Sequence, residues 1–165
     1  MTAPAFTLEP MAGRHIDAVS AIDQLVYAHP WKAAIWRNEI READRHHIVA
    51  RMTEAVVGHA GLLFVVDDAH VTTVAVHPDH QGFGIGSAMV ECLLTEARNR
   101  GSVAATLEVR ANDRRAQRLY ARFGFRPAGS RKAYYSDPSD DAIIMWLHDL
   151  DGDEFVKRLA TGEPQ

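Results

Sequence analysis

Apolar residues recur along the chain in two different periods, and the switches between them mark out the elements. Ile16, Val19, Ile22 and Val26 fall three or four apart, the stripe of an amphipathic helix. His29-Pro30 is expected to end it, because the residue before a proline avoids the helical region. Residues 31–41 read as a second, shorter helix, and a short strand at 6–10 precedes both. Strands follow at 46–52, 55–66 and 70–76, with Thr53-Glu54 and Asp67-Asp68 as turns between antiparallel neighbours. Ile85, Ala88, Met89, Cys92, Leu93, Glu96 and Ala97 set out a third helix that stops at Arg100-Gly101. A strand at 104–109 leads to a fourth helix on Ala116, Leu119, Tyr120 and Phe123, closed by Gly124. Residues 125–135 and 141–147 read as a final antiparallel pair. The expected fold is α/β (α+β), a mixed sheet of about seven strands flanked by about four helices.

Composition narrows the class. The chain has 165 residues, 47% of them apolar, which suits one domain with a full core and excludes bulk disorder. Residues 1–148 are read as that domain and 149–165 as an acidic, partly ordered tail. The longest apolar run, 60–66, is far short of the ~20 residues a spanning helix needs, so no membrane partner is expected. The opening MTAPAFTLEP has neither a basic flank nor an apolar stretch, so no signal peptide is expected. A single cysteine, Cys92, excludes an internal disulfide framework and a thiolate zinc cluster, and on the stripe of the third helix it reads as a small core residue. A cytoplasmic protein is the expectation.

The net charge of -4 conceals a basic block. Residues 98–132 hold ten Lys or Arg against Glu108 and Asp113 alone. Such a block in an acidic chain favours a compact anionic ligand over a nucleic-acid track. It reads equally as solvated helix faces.

The segment VTTVAVHPDHQGFGIGSAMVECLL carries the most specific signal. A β-branched strand feeds a loop with Gly82, Gly84 and Gly86, and a helix begins at once. Amides at a helix N-terminus with no side chains in the way form an anion cradle. A P-loop would close on Gly-Lys-Ser/Thr, but Gly86 is followed by Ser87 and Ala88. A dinucleotide loop needs G-x-G-x-x-G tight against the strand, and the third position is Ser87 or Met89.

Gln81-x-x-Gly84-x-Gly86 after HPDHQG resembles instead the pyrophosphate loop of the GNAT acetyltransferases, which grips coenzyme A. LEVRANDRRAQRLYARFGF (107–125), RKAYYSDPSDDAIIMWL (131–147) and HPW (29–31) are similar to the RimI branch of that family. The likeness covers about residues 6–147. It implies a GNAT fold and acetyl-CoA as co-substrate. It also implies acetylation of the N-terminal alanine of a small-subunit ribosomal protein, by direct attack in a ternary complex. A GNAT enzyme acting on a small-molecule amine or a lysine would share the loop, and so would a non-catalytic coenzyme A-binding module. Retention of both Glu108 and Tyr120 speaks for turnover.

Acetyl transfer to an amine needs a neutral nitrogen and a proton for the departing thiolate. In TLEVR, Leu107 and Val109 share one strand face and Glu108 takes the other. By local pattern it is a base or an exposed acid paired with Arg110; the resemblance implies the base. Tyr120 sits within the helical stripe, where a tyrosine is usually core, and the resemblance implies that it is the proton donor. Coenzyme A contacts carry over onto Val74, Ala75 and Val76 for the pantetheine arm. For the pyrophosphate they carry over onto Gln81, Gly82, Phe83, Gly84, Ile85, Gly86 and Ser87. Where the family has an asparagine seven residues before the tyrosine, this chain has Asp113 beside Asn112; either the register shifts by one or Asp113 is a helix cap. Trp31, Tyr134 and Tyr135 fall on the peptide-facing side by the same analogy, against ordinary packing. Nine histidines show no HExxH spacing, and His46 and His47 point to opposite strand faces, so no metal is expected.

Overall fold

The computed structural model describes residues 5–161. In chain order it forms β1 (Thr7–Pro10), α1 (Ile16–Val26), α2 (Ala33–Glu39), β2 (Arg45–Met52), β3 (Ala55–Val65) and β4 (Asp68–Val76). There follow α3 (Ile85–Asn99), β5 (Ala104–Arg110), α4 (Arg114–Arg122), β6 (Arg126–Tyr135), β7 (Asp140–Leu147) and α5 (Asp153–Thr161). The strands make one seven-stranded sheet, ordered β1-β2-β3-β4-β5-β7-β6. It is mixed, as the alternation implied: β4 and β5 run parallel, while β1–β2, β2–β3, β5–β7 and β6–β7 are antiparallel. No helix among the described residues is long and apolar enough to cross a membrane.

The chain packs as two compact units, one built from residues up to Leu63 with Val71–Leu93, the other from Phe64–His70 with the chain from Leu94 onward. In the first, the α1 stripe does what its spacing predicts, burying Ile16, Val19 and Ile22. Ile16 and Val19 meet Met11, Trp36 and Val49 in one apolar cluster. Trp36 donates from Nε1 to Asp23 Oδ2 at 3.0 Å, and His59 Nε2 lies 2.6 Å from Asp23 Oδ1. Asp23 and His59 are both buried, so each needs this partner to offset lost hydration. Burial also pushes the neighbouring His47 imidazole below its ordinary pKa, against the pull of Glu39. α1 ends at Val26, ahead of His29-Pro30, because Tyr27 is already extended and its hydroxyl reaches Thr73 Oγ1 at 3.0 Å. α2 starts only at Ala33, which leaves Trp31 outside it.

In the second unit Leu94, Leu107, Phe125, Met145 and Leu147 are buried, together with Leu150 and Phe155 further along. Arg98 donates from Nη1 to the carbonyls of Leu150 and Gly152, fixing the approach to α5. Of the segment read as a tail, residues 162–165 lie outside the described ones. α4 is capped as its sequence suggests: Asp113 accepts from Ala116 N at 3.0 Å, and Gly124 follows the helix at φ 102°. The turn after β3 falls at Val66-Asp67, one residue earlier than expected, with Val66 itself at φ 54°. Cys92 is only half-buried.

Candidate active site

In the first unit β4 runs into a single tight turn, Pro78–His80, and α3 begins at Ile85. Gln81 donates from Nε2 to Val76 O at 3.2 Å, fastening the loop to the strand it leaves. Gly84 has φ +83°, and a Cβ there would meet nothing within 4 Å. Backbone conformation rather than crowding therefore demands glycine at this position. The helix ladder opens with Ala88 N donating to Gly84 O at 3.0 Å. The amides of Ile85, Gly86 and Ser87 precede that bond at the positive end of α3, where anions bind. Ile85 is buried and anchors the helix start, while Gly82 and Phe83 are exposed. Upstream, Ala75 is buried, Val74 and Val76 are half-buried, and Val74 O lies 3.4 Å from the Tyr27 hydroxyl.

In the second unit Glu108 leaves β5 on the face opposite to buried Leu107 and Val109. Its Oε2 lies 2.7 Å from His70 Nε2, and its Oε1 lies 3.8 Å from Arg131 Nη2. Arg110, the partner offered by the local reading, is turned elsewhere. Its guanidinium donates to the carbonyls of Pro138 and Ser136 and lies 4.4 Å over the Tyr135 ring. The arginine that shares Glu108's surroundings is Arg131, not Arg110. Tyr120 is buried on α4, its ring edge-on to Phe125 at 5.8 Å.

The β6–β7 connection is fastened from both sides. Asp141 accepts from Ala133 N at 2.8 Å, and that bond, helped by Lys132, holds its carboxyl below the usual carboxylate range. Asp140 accepts from Asn112 N at 3.0 Å. Of these acids of the SDPSDD stretch, Asp141 serves the hairpin's own backbone and Asp140 ties the hairpin to the loop between β5 and α4. Tyr134 is half exposed with Arg131 over its ring, and it meets Tyr135 edge-on at 5.0 Å. Trp31, in the other unit, is partly exposed with its ring 5.0 Å from Trp36. Among the described residues no group of three His, Cys, Asp or Glu is arranged to hold a metal ion.

The model of the acetyltransferase (GNAT) family matches residues 16–125, a span that includes the glycine loop, Glu108 and Tyr120. The chain belongs to that family. Among similar proteins is the ribosomal protein bS18-alanine N-acetyltransferase of Escherichia coli (strain K12), 32% identical over 145 residues, 86% of this chain and 96% of that one. Another is the N-alpha-acetyltransferase RimI of Mycobacterium tuberculosis, 35% identical over 120 residues, 70% of this chain and 74% of that one. The crystal structure of the ribosomal-protein-S18-alanine N-acetyltransferase from Escherichia coli superposes with a TM-score of 0.80, covering 88% of this chain and 94% of that one at 31% identity. The GNAT fold expected from the loop and its downstream motifs is the fold observed.

Two features of this acetyltransferase have no sufficient local signal: His70 beside Glu108, and Arg110 turned away from it. The alternation HVTTV offered a partial signal, since His70, Thr72 and Val74 share a face of β4. Nothing local tied that face to Glu108, 38 residues on.

Proposed function

We propose that this acetyltransferase moves the acetyl group of acetyl-CoA onto the α-amine of a protein N-terminus, the terminal alanine of a small-subunit ribosomal protein. The observation that carries the reading is the length of the kinship: this chain spans 96% of the Escherichia coli enzyme of that name at 32% identity. A ribosomal-protein substrate goes with a cytoplasmic location.

The residues present suit acetyl-CoA. Its pyrophosphate matches the glycine-rich loop of Gln81, Gly82, Phe83, Gly84, Ile85, Gly86 and Ser87, and the backbone of Val74, Ala75 and Val76 suits the pantetheine amides. Asn112 is the better candidate for the family's asparagine contact, because the Asp113 carboxylate is engaged in capping α4. Acetyl-CoA supplies an acyl thioester, activated toward attack by an amine. Glu108 takes a proton from the substrate ammonium, which frees the nitrogen lone pair to form the amide bond. As the carbon–sulfur bond breaks, the Tyr120 hydroxyl hydrogen-bonds to the departing sulfur and protonates it, and the second proton shed by the nitrogen as it becomes an amide restores the phenol. Trp31, Tyr134 and Tyr135 are the side chains assigned to the peptide. Residues 1–148 carry this activity.

Acetyl-CoA turnover on a panel of N-terminal peptides, beside spermidine and free lysine, tests the substrate. An alanine-starting peptide is expected to give the highest kcat/KM. Preference for spermidine or the lysine side chain refutes peptide N-terminal specificity.

The loop assignment has its own expected outcome. Gly84→Leu forces a side chain onto a left-handed backbone at about 1–2 kcal/mol, or makes the loop abandon that conformation. Acetyl-CoA should then bind about 5- to 30-fold more weakly in calorimetry, with the circular dichroism unchanged. Unaltered affinity counts against the loop as the pyrophosphate site.

A further inference from the structure

His70 and Glu108 meet because of strand register. β4 and β5 run parallel with His70 opposite Thr106, so both project to the same face of the sheet. Glu108 lies two residues past Thr106 and shares that face. The resulting contact, Nε2 to Oε2 at 2.7 Å, has the length of a charge-assisted hydrogen bond. A carboxylate oxygen accepts, so the ring donates to it from Nε2. His70 and Glu108 are both partly shielded, their side chains 31% and 18% exposed.

The consequence for Glu108 is asymmetric. Oε2 is committed to the imidazole, while Oε1 meets the longer approach of Arg131. One oxygen fixes the carboxylate, and the other stands outside that bond. Bases that work on a bound substrate are commonly oriented by a third group in this way. We propose that His70 is a positioning residue for this acetyltransferase, holding Glu108 so that Oε1 receives the proton of the substrate's α-ammonium. This rests on the reading of Glu108 as the base.

Other charged side chains stand on the strands around this pair. Arg131 approaches from β6, Arg110 on the same face of β5 is held by the Ser136 and Pro138 carbonyls, and Asp68 lies one pleat back on β4. On β7 the residues opposite Thr106 and Glu108 are Trp146 and Ile144, which do not titrate.

Steady-state kinetics on a saturating alanine-starting peptide test this with His70→Ala, His70→Gln, Glu108→Gln and the double variant H70A/E108Q. His70→Ala should lower kcat about 10²-fold, the cost of a loosely placed catalytic group, with the KM for acetyl-CoA unmoved. His70→Gln keeps an N–H donor of similar reach, so it should recover most of that rate. In the Glu108→Gln background, His70→Ala should cost less than about 3-fold, because the group it positions is already disabled. Equal losses in both backgrounds, or no rescue by glutamine, overturns the positioning role. An impaired Glu108→Gln beside an unimpaired His70→Ala also overturns it and leaves the base reading standing. A fully active Glu108→Gln removes both.

Discussion

Tyr120→Phe is expected to slow acetyl transfer about 10²-fold or somewhat more, while leaving the protein folded and acetyl-CoA bound. General acids contribute about 10²–10⁴-fold, and chemistry puts this one toward the lower end. An ordinary phenol, near ~10, is a weaker acid than an ordinary thiol, near ~8.5. Full proton transfer to the leaving thiolate is therefore slightly uphill. Much of the benefit comes from a hydrogen bond to sulfur as its charge develops. Phenylalanine removes that bond and keeps the ring that packs edge-on to Phe125 at 5.8 Å. Stability should shift by no more than about 1–1.5 kcal/mol, the worth of one hydrogen bond. Single-turnover acetylation isolates the chemical step, and urea unfolding checks the fold. A single-turnover rate within about 2-fold of the parent makes Tyr120 a core residue and nothing more.

How much of this could be read in advance depended on whether the cause was local. The α1 stripe, the Asp113 cap and Gly124 behind α4 are all set by neighbours within a turn or two, and each was visible in the pattern. The glycine loop was visible for the same reason, since φ +83° at Gly84 is a property of one residue. Val66 shows the converse. A β-branched residue reads as strand, yet it holds φ 54° in the turn and pushes the reversal back by one position. Tyr27 likewise ends α1 before the proline does, drawn to Thr73 on a strand far along the chain.

The chemistry divides in the same way. Alternation in TLEVR was enough to give the face of Glu108, because a strand's period is local. Its partner was not readable, because that follows from which residue of β4 stands opposite Thr106. The buried Asp23–His59–Trp36 set is similar: three residues from α1, β3 and α2 that no spacing rule connects. Polar groups buried together must satisfy one another, but a sequence alone does not show which ones will be buried together. Side-chain type and face were therefore legible, whereas hydrogen-bond partners were not.

Glu108→Gln is expected to have the largest effect of all, and its pH dependence separates the possible roles. The change keeps the shape of the side chain and removes its ability to take a proton. Terminal α-amines have an ordinary pKa of ~7.7–8.0, so at pH 7 only about a tenth to a sixth of the peptide is neutral. The parent enzyme binds the abundant ammonium form and deprotonates it in place, so its rate should vary little from pH 7 to 9. The variant must wait for the neutral fraction, which rises about 6- to 10-fold over the same interval. kcat at pH 7 should fall about 10²–10⁴-fold, and raising the pH should restore about 6- to 10-fold of that loss in the variant alone. Whatever remains at pH 9 measures the placement of the amine rather than its deprotonation. A loss indifferent to pH thus assigns Glu108 to orienting the peptide, and a rate matching the parent at pH 7 removes it from the mechanism. Loss of acetyl-CoA affinity assigns it to structure instead, since nothing in the proposed role touches the coenzyme's binding loop.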